Sequence, residues 1–326
     1  MTQPYIVYGG ELSYFTRKLE AAMIFYGAEF TIKAKTPDLA AEIEQRSGTH
    51  QVPVLLTPEN WMVADTTPLL MMLDGRFPDR RMFPAGTLGV LTHIVEEYFD
   101  EWIARTMVHY RWHYPESAEF ASLRMARGNA EAAARVRAWG PRACRATGTD
   151  SKHQQQQAEA EYVRILEALE QQLGETPYAL GFRPTAVDCI LLGGLRAHTN
   201  MDPDPKRITS GYPRVVAWCE GDADTWDGGG ELAPFEEPTA FVRFVLEEMV
   251  GTFQPYVLAN KEAQEAGAKA FHVDTYGEDV SYLARPYPEL SRQMVVDRIA
   301  RTLPVDERSA VTLWLEETGL SAGFGS

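Results

Sequence analysis

The sequence predicts a small α/β unit followed by a long, almost entirely helical remainder. Three observations predict it. Residues 1–80 alternate short β-branched and aromatic runs with helical spacing, in the order β-α-β-α-β-β-α. Residues 76–86 (RFPDRRMFPAG) concentrate proline and glycine, as a connecting segment does. Beyond them, apolar residues recur at helical spacing almost to the end of the chain.

The elements follow in order. Residues 5–8 (YIVY) form a buried strand closed by Gly9-Gly10. From Tyr14 the period changes, and Phe15, Leu19, Ala22, Met23 and Tyr26 share one helical face, with Gly27 as C-cap. Residues 29–35 (EFTIKAK) alternate as a second strand. A charged helix (DLAAEIEQRSG) leads into QVPVLLT and, after a turn, WMVAD, the third and fourth strands. The helix that follows has Thr66 or Thr67 as N-cap and Pro68 in its first turn. Helices are then predicted at 88–113, 117–139, 152–173, 185–199 and 211–220. After a loop at 221–236 come four more, at 238–250, 255–267, 288–302 and 305–318. The glutamines 154–157 read as a solvated helix face. The chain thus divides into residues 1–80, a linker at 81–87, a helical unit at 88–222 and a helical C-terminal extension at 223–326.

Composition narrows the function classes. With 326 residues the chain can build more than one core. Its 46 acidic against 31 basic residues give a net charge of −15. That field repels nucleic acid and anionic membranes, so neither is an expected partner, and any anionic ligand needs local positive potential. Three cysteines without CxxC spacing predict neither disulfides nor zinc, and suit a reducing compartment. Neither a basic-apolar leader nor a run of eighteen apolar residues occurs, and a cytoplasmic protein is expected.

Four motifs in order then carry a resemblance. They are YGGELSYFTRK at 8–18, HQVPVL at 50–55, ADTTPL at 64–69, and PTAVD at 184–188 with YPRVVAWCE at 212–220. Together, over residues 4–222, the chain resembles the glutathione S-transferase superfamily, of a serine-type, bacterial-like kind with an unusually long C-terminal extension. The resemblance implies an α/β thioredoxin-like N-terminal domain followed by an all-α glutathione S-transferase C-terminal domain with extra helices. It also implies glutathione as co-substrate and a homodimer. Val52-Pro53 would be a cis peptide presenting the Val52 backbone to the ligand. Thr66 would hold the γ-glutamyl carboxylate at a helix N-terminus and Asp65 the γ-glutamyl amine. Gln51, with His50, would reach the glycyl carboxylate, and Arg17 or Lys18 would add positive potential. Thr185-x-x-Asp188 is a capping box and serves folding.

A hydroxyl at a helix N-terminus can stabilise the glutathione thiolate. Ser13, where the first strand turns into the first helix, is the leading candidate. Tyr8, at the end of that strand, is the rival, ahead of Tyr14 and Thr16. Residues 1–143 contain no cysteine, which argues against thiol–disulfide chemistry by the protein itself.

The helix after the linker is rich in aromatic residues. The resemblance makes Tyr98, Trp102, Arg105 and His109, together with Tyr14, the wall of a pocket for a second substrate. His109 and His113 stand four apart with Glu97, Asp100 and Glu101 upstream, yet without a metal-binding ExxH or HExxH spacing, so no metal is expected. The expected activity is a transferase conjugating glutathione to, or displacing a group from, a hydrophobic electrophile, aromatic ones included, in detoxification. The alternative is a non-catalytic protein of the same fold whose extension makes a binding or scaffolding surface.

Overall fold

The computed structural model describes residues 3–325. Its first strand, β1 (Tyr5–Tyr8), lies at the centre of a four-stranded sheet. The helix α1 (Tyr14–Tyr26) crosses over to β2 (Phe30–Lys33), which pairs parallel with β1. After α2 (Pro37–Ser47), β3 (Val54–Leu56) pairs antiparallel with the other side of β1, and β4 (Met62–Ala64) with β3. The sheet order is β2-β1-β3-β4. The last helix of this unit, α3 (Thr66–Arg76), begins one residue past Asp65, which occupies the N-cap in place of either threonine. This is the thioredoxin-like α/β unit that the resemblance implies, with its elements in the order that the alternation of periods predicts.

A helical body follows. The predicted helix at 88–113 is three pieces: α4 (Gly86–Glu97), a π-helical turn at Tyr98–Trp102, and α5 (Ala104–His113). The predicted 117–139 helix is two, α6 (Pro115–Met125) and α7 (Ala130–Ala146). The chain breaks between them because Arg127 (φ 51°) and Gly128 (φ 80°) take left-handed backbone conformations that cannot continue a helix. Next come α8 (Lys152–Gln172), α9 (Ala186–Gly194) with a π-helical turn at Leu195–Thr199, α10 (Pro203–Thr209) and α11 (Pro213–Glu220).

The C-terminal extension is not wholly helical. Between α12 (Ala240–Gly251), α13 (Phe253–Glu265) and the closing helices α14 (Pro286–Thr302), α15 (Val305–Glu317) and α16 (Ser321–Phe324) lies a hairpin. It pairs β5 (Ala270–Thr275) with β6 (Glu278–Leu283) in antiparallel register. Tyr276 (φ 55°) and Gly277 (φ 78°) form its two-residue turn. Two positive φ values in a row match the right-handed twist of the strands, which is why glycine stands second.

Two contacts fix the site against the body. The first is the crossing of α1 with α9, whose nine residues are all buried. A Cβ on Gly193 would stand 2.8 Å from the Tyr14 carbonyl and 3.0 Å from the Lys18 nitrogen, so only glycine lets these backbones approach so closely. The second is one continuous apolar core running from Val7, Leu19 and Leu70 through Trp102 and Tyr162 to Tyr256, Tyr282 and Phe324. The extension is therefore part of the same core as the first two units. The predicted capping box forms: Asp188 accepts from the Thr185 backbone N–H (2.8 Å) and also from that of Ala179 (2.8 Å).

Candidate active site

Strand register decides what meets at one end of the sheet. Tyr8 pairs with Lys33 on one side and Val54 on the other, and Val54 pairs with Ala64. The segments leaving that end are therefore the β1–α1 loop with Ser13, Val52-Pro53 entering β3, and Asp65-Thr66 leaving β4. They span two inter-strand steps of about 5 Å each. Val52-Pro53 is a cis bond.

Ser13 is the N-cap of α1, and its Oγ accepts from the Thr16 backbone N–H at 3.2 Å. That bond uses a lone pair and leaves the hydroxyl proton to donate elsewhere. The side chain is half-buried. Behind it, Gly9 must be glycine, since a Cβ there would lie 2.4 Å from Thr16 Oγ1. Tyr8 is buried on the opposite face of the sheet with Ile43 and Val54. Thr16 is buried too.

The loop is held from behind by Arg111, a residue that sequence reasoning missed. From α5 its guanidinium donates to the Leu12 carbonyl (2.8 Å), to the Ala197 carbonyl (2.5 Å) and, in a fork, to Asp202 (2.8 and 3.0 Å). It also donates to Nε2 of His198 at 3.2 Å, which makes that nitrogen the acceptor and the imidazole neutral. Burial, then the neighbouring guanidinium, hold the His198 pKa well below its ordinary value. Arg111 lies ninety-eight residues from Ser13 in a helix of mixed polarity, where its sequence gives no signal.

At the other side of the site, Asp65 sits at the N-terminus of α3 with φ 69°, and its carboxylate makes no capping bond. Its pKa is raised, first by desolvation and then by Asp100, while Lys18 pulls the other way. Thr66 is buried in the first turn. Gln51 and His50 are exposed, and Lys35 donates to the His50 carbonyl (2.6 Å) while pairing with Glu44 (2.9 Å). Lys35 is thus the cation next to Gln51. Neither nominee for that role fits: Lys18 is fully buried, and Arg17 pairs with Glu20 (2.5 Å). The Lys18 ammonium joins three helices, donating to Thr67 (2.9 Å) and Asp100 (2.6 Å) and pairing with Glu96. Burial works against its charge, but the carboxylates of Asp100 and Glu96 outweigh it and raise its pKa.

With this geometry in place, comparison adds one observation. Residues 130–221 match the sequence profile of the glutathione S-transferase, C-terminal domain. Over those residues the chain is similar to glutathione S-transferases. Among solved structures it is similar to a glutathione S-transferase from Rhodospirillum rubrum, at 14% identity over 69% of this chain and 89% of that one, with a TM-score of 0.46. A glutathione S-transferase from Methylobacterium radiotolerans in complex with glutathione sulfonate is 20% identical over 69% and 92%, with a TM-score of 0.42. One from Methylobacillus flagellatus with GSH bound is 13% identical over 69% and 96%, with a TM-score of 0.41. No match is found among curated proteins.

The chain does not present its aromatic helix as an open wall. Tyr14 is buried, and its hydroxyl donates to the Phe99 carbonyl at 2.9 Å. Trp102 Nε1–H donates to Glu161 at 2.7 Å, and Tyr98 and Arg105 reach the same carboxylate at 3.3 and 3.5 Å. The extension covers them: Tyr256 and Tyr282 pack on Trp102 at 5.5 and 6.3 Å, and Tyr276 donates to Glu161 at 3.0 Å. Arg105 is also tied to Gln154 (2.7 Å), which donates on to the Thr275 carbonyl (2.7 Å). Gln154 is therefore buried, not on a solvated face. His109 bridges Glu159 (2.8 Å) and His113 (2.9 Å), and burial lowers its pKa against the pull of Glu159. Tyr14 lines an apolar void of about 20 Å³ with Phe99, Met107, Leu166 and Leu195, too small for a substrate. A cleft of about 490 Å³ opens instead beside α1, lined by Arg17, Phe120, Arg124 and Met201. Arg124 pairs there with Glu11 of the Ser13 loop at 2.5 and 3.0 Å.

Proposed function

We propose that the chain binds glutathione at the end of its sheet and transfers its thiolate to an electrophile, with the Ser13 hydroxyl stabilising the thiolate. Tyr8 remains the rival hydroxyl. The observation that carries the reading is the state of Ser13: an N-cap whose oxygen accepts from Thr16 and whose proton is left to donate. A glutathione thiol ionises near the free-cysteine value of about 8.5, and lowering that by about two units needs roughly 2.7 kcal/mol. A hydroxyl donor together with the N-terminus of a 13-residue helix is of the right kind to supply it. In this reading Val52 and Pro53 frame the peptide backbone of glutathione, Asp65 and Thr66 meet its γ-glutamyl end, and Gln51 with Lys35 meets its glycyl end. Residues 1–80 would be the glutathione-binding domain and residues 88–222 the partner domain. The electrophile would enter by the cleft at Glu11 and Arg124. Among the described residues no helix is long and apolar enough to cross a membrane.

A second reading has one observation in its favour. The extension fills the place where an aromatic wall for the second substrate was expected, which suits a glutathione-binding protein without conjugating activity. One experiment separates the readings. Retention on glutathione-agarose is measured beside a thiolate absorbance titration of the complex, for wild type and Ser13→Ala. The transferase reading predicts retention, with a thiol pKa below that of free glutathione that returns toward it in the variant. Retention with an unshifted thiol in the wild type favours the binding protein.

A further inference from the structure

Helix α4 places His93, Glu96 and Glu97 at positions i, i+3 and i+4, so the three side chains share one helical face. One ligand atom from each lies within 4.8 Å of the others, and all three residues are fully buried. Both nitrogens of His93 and both oxygens of Glu97 lack a hydrogen-bond partner. Their nearest polar approach is to each other, at 3.2 Å. Buried imidazoles and carboxylates are almost always satisfied, so four unpartnered atoms at one point call for an explanation.

The charge around them is unbalanced. Glu96, Glu97, Asp100 and Glu101 enter the interior together on α4 and the turn after it. Lys18 pairs with Glu96 and Asp100, and Arg285 with Glu101 at 3.0 Å and with the Tyr256 hydroxyl at 2.8 Å. Glu97 has no cation of its own among the described residues. Arg298 of α14 is stacked on the Phe83 ring, 5.1 Å away, and makes no ion pair there. That ring in turn packs edge-on against His93 at 5.3 Å.

From this geometry we infer that His93, Glu96 and Glu97 form a site for one divalent transition-metal ion of the Zn²⁺ or Mn²⁺ class. One imidazole with two carboxylates is a donor set for such ions, and the imidazole disfavours Mg²⁺ and Ca²⁺, which take oxygen. Glu96 can take part while holding Lys18, because its second oxygen has only a long contact with Thr67, at 3.3 Å. Full enclosure means that the ion is taken up as the chain folds, so its role is to close the α1–α3–α4–α14 junction. The inference is independent of the glutathione site.

The test unfolds the full chain in denaturant with a chelator, then refolds it with Zn²⁺, with Mn²⁺ or without metal. Metal content after gel filtration and the midpoint of thermal unfolding are then measured. The expected result is about one ion per chain and a raised midpoint, with content at least ~10-fold lower in His93→Gln and Glu97→Gln. Wild type that refolds without binding either ion overturns the proposal, as does full content in both variants. Should the variants fail to fold, Mn²⁺-loaded wild type decides. Electron spin-echo modulation from one coordinated imidazole nitrogen supports the site, and its absence overturns it. An infrared band of a protonated carboxyl in the metal-treated protein, lost in Glu97→Gln, would instead mean that Glu97 shares a proton with His93, and would also overturn it.

Discussion

Replacing Arg111 by methionine keeps most of the side chain's length and removes its charge and its five donors. The structure sets the size of the loss. The Asp202 carboxylate is fully buried and takes its two shortest bonds from Arg111, while the Leu12 and Ala197 carbonyls take one each. Removing one member of a buried pair leaves an uncompensated charge and costs about 3–5 kcal/mol. That is a large part of an ordinary stability of about 5–15 kcal/mol. Urea unfolding of Arg111→Met should therefore show a midpoint far below wild type. The loss should also depend on pH. Burial raises the Asp202 pKa and Arg111 holds it back, so in the variant the group is raised further above its unfolded value. A raised acid regains stability as pH falls through its folded pKa, so the deficit should be smaller at pH 5 than at pH 8. In the double variant Arg111→Met/Asp202→Asn no charge is stranded, and the two losses should fall short of their sum by roughly 1–3 kcal/mol. A loss below about 1 kcal/mol, or strict additivity of the pair, would refute the account of Arg111 as the clamp on the Ser13 loop.

Four further outcomes follow from single positions. Gly193→Ala should destabilise by about 1–3 kcal/mol, because the added Cβ meets the backbone of α1, which cannot yield as a side chain can. Gly75→Ala, exposed in α3 with nothing within 4 Å, should stabilise by up to ~1 kcal/mol, so chemical denaturation of the two variants separates packing from helix propensity. His198 is held neutral in the native state while the unfolded chain protonates it near pH 6.5, so its contribution is present above that pH and lost below it, at about 1.4 kcal/mol per pH unit. His198→Gln should remove that slope from urea midpoints measured between pH 5 and 8. Ser13→Ala should cost about 0.5–2 kcal/mol through the lost N-cap, whatever it does to the thiol.

Local rules made the first unit legible. Period two against period 3.6 separates β1 from α1, and Gly27, at φ 66°, stands where α1 ends. The same rules placed Ser13, Asp65 and Thr66 at helix starts, because small polar residues there satisfy free backbone N–H groups. The hairpin is also written in local terms: FHVDT and EDVSYL alternate around Tyr276-Gly277, but the helical patterns that flank it on both sides mask the change of period. What local rules do not contain is the partner of a buried charge. Lys18 looks like a surface lysine one residue after Arg17, and only the crossing of α1 with α9 and the approach of α4 turn it inward. Arg111 and the trio on α4 are hidden for the same reason. Their partners come from segments tens of residues away, or from the three-four spacing of a helix whose buried face cannot be known until its neighbours are.

The aromatic helix shows how the choice of partner changes a functional reading. Tyr98, Trp102 and Arg105 are residue types that suit either a ligand wall or a core with polar groups to satisfy. Glu161 distinguishes the two, because it accepts from Tyr98, Trp102, Arg105 and Tyr276 at once. Three of these donors converge on one oxygen of a fully buried carboxylate, so Glu161 is held by the core and the hairpin in one arrangement rather than offered to a substrate. The donor furthest along the chain, Tyr276, is the turn residue of the extension's hairpin, so the extension completes the network. On the proposed transferase reading, a second substrate would therefore enter away from this face. The cleft between α1 and α6, where Arg124 reaches Glu11 two residues before Ser13, is one such opening beside the loop. On the proposed transferase reading, its lining of paired charges, Arg17 with Glu20 and Arg196 with Asp224, would suit a polar electrophile better than the hydrophobic one that the resemblance implies.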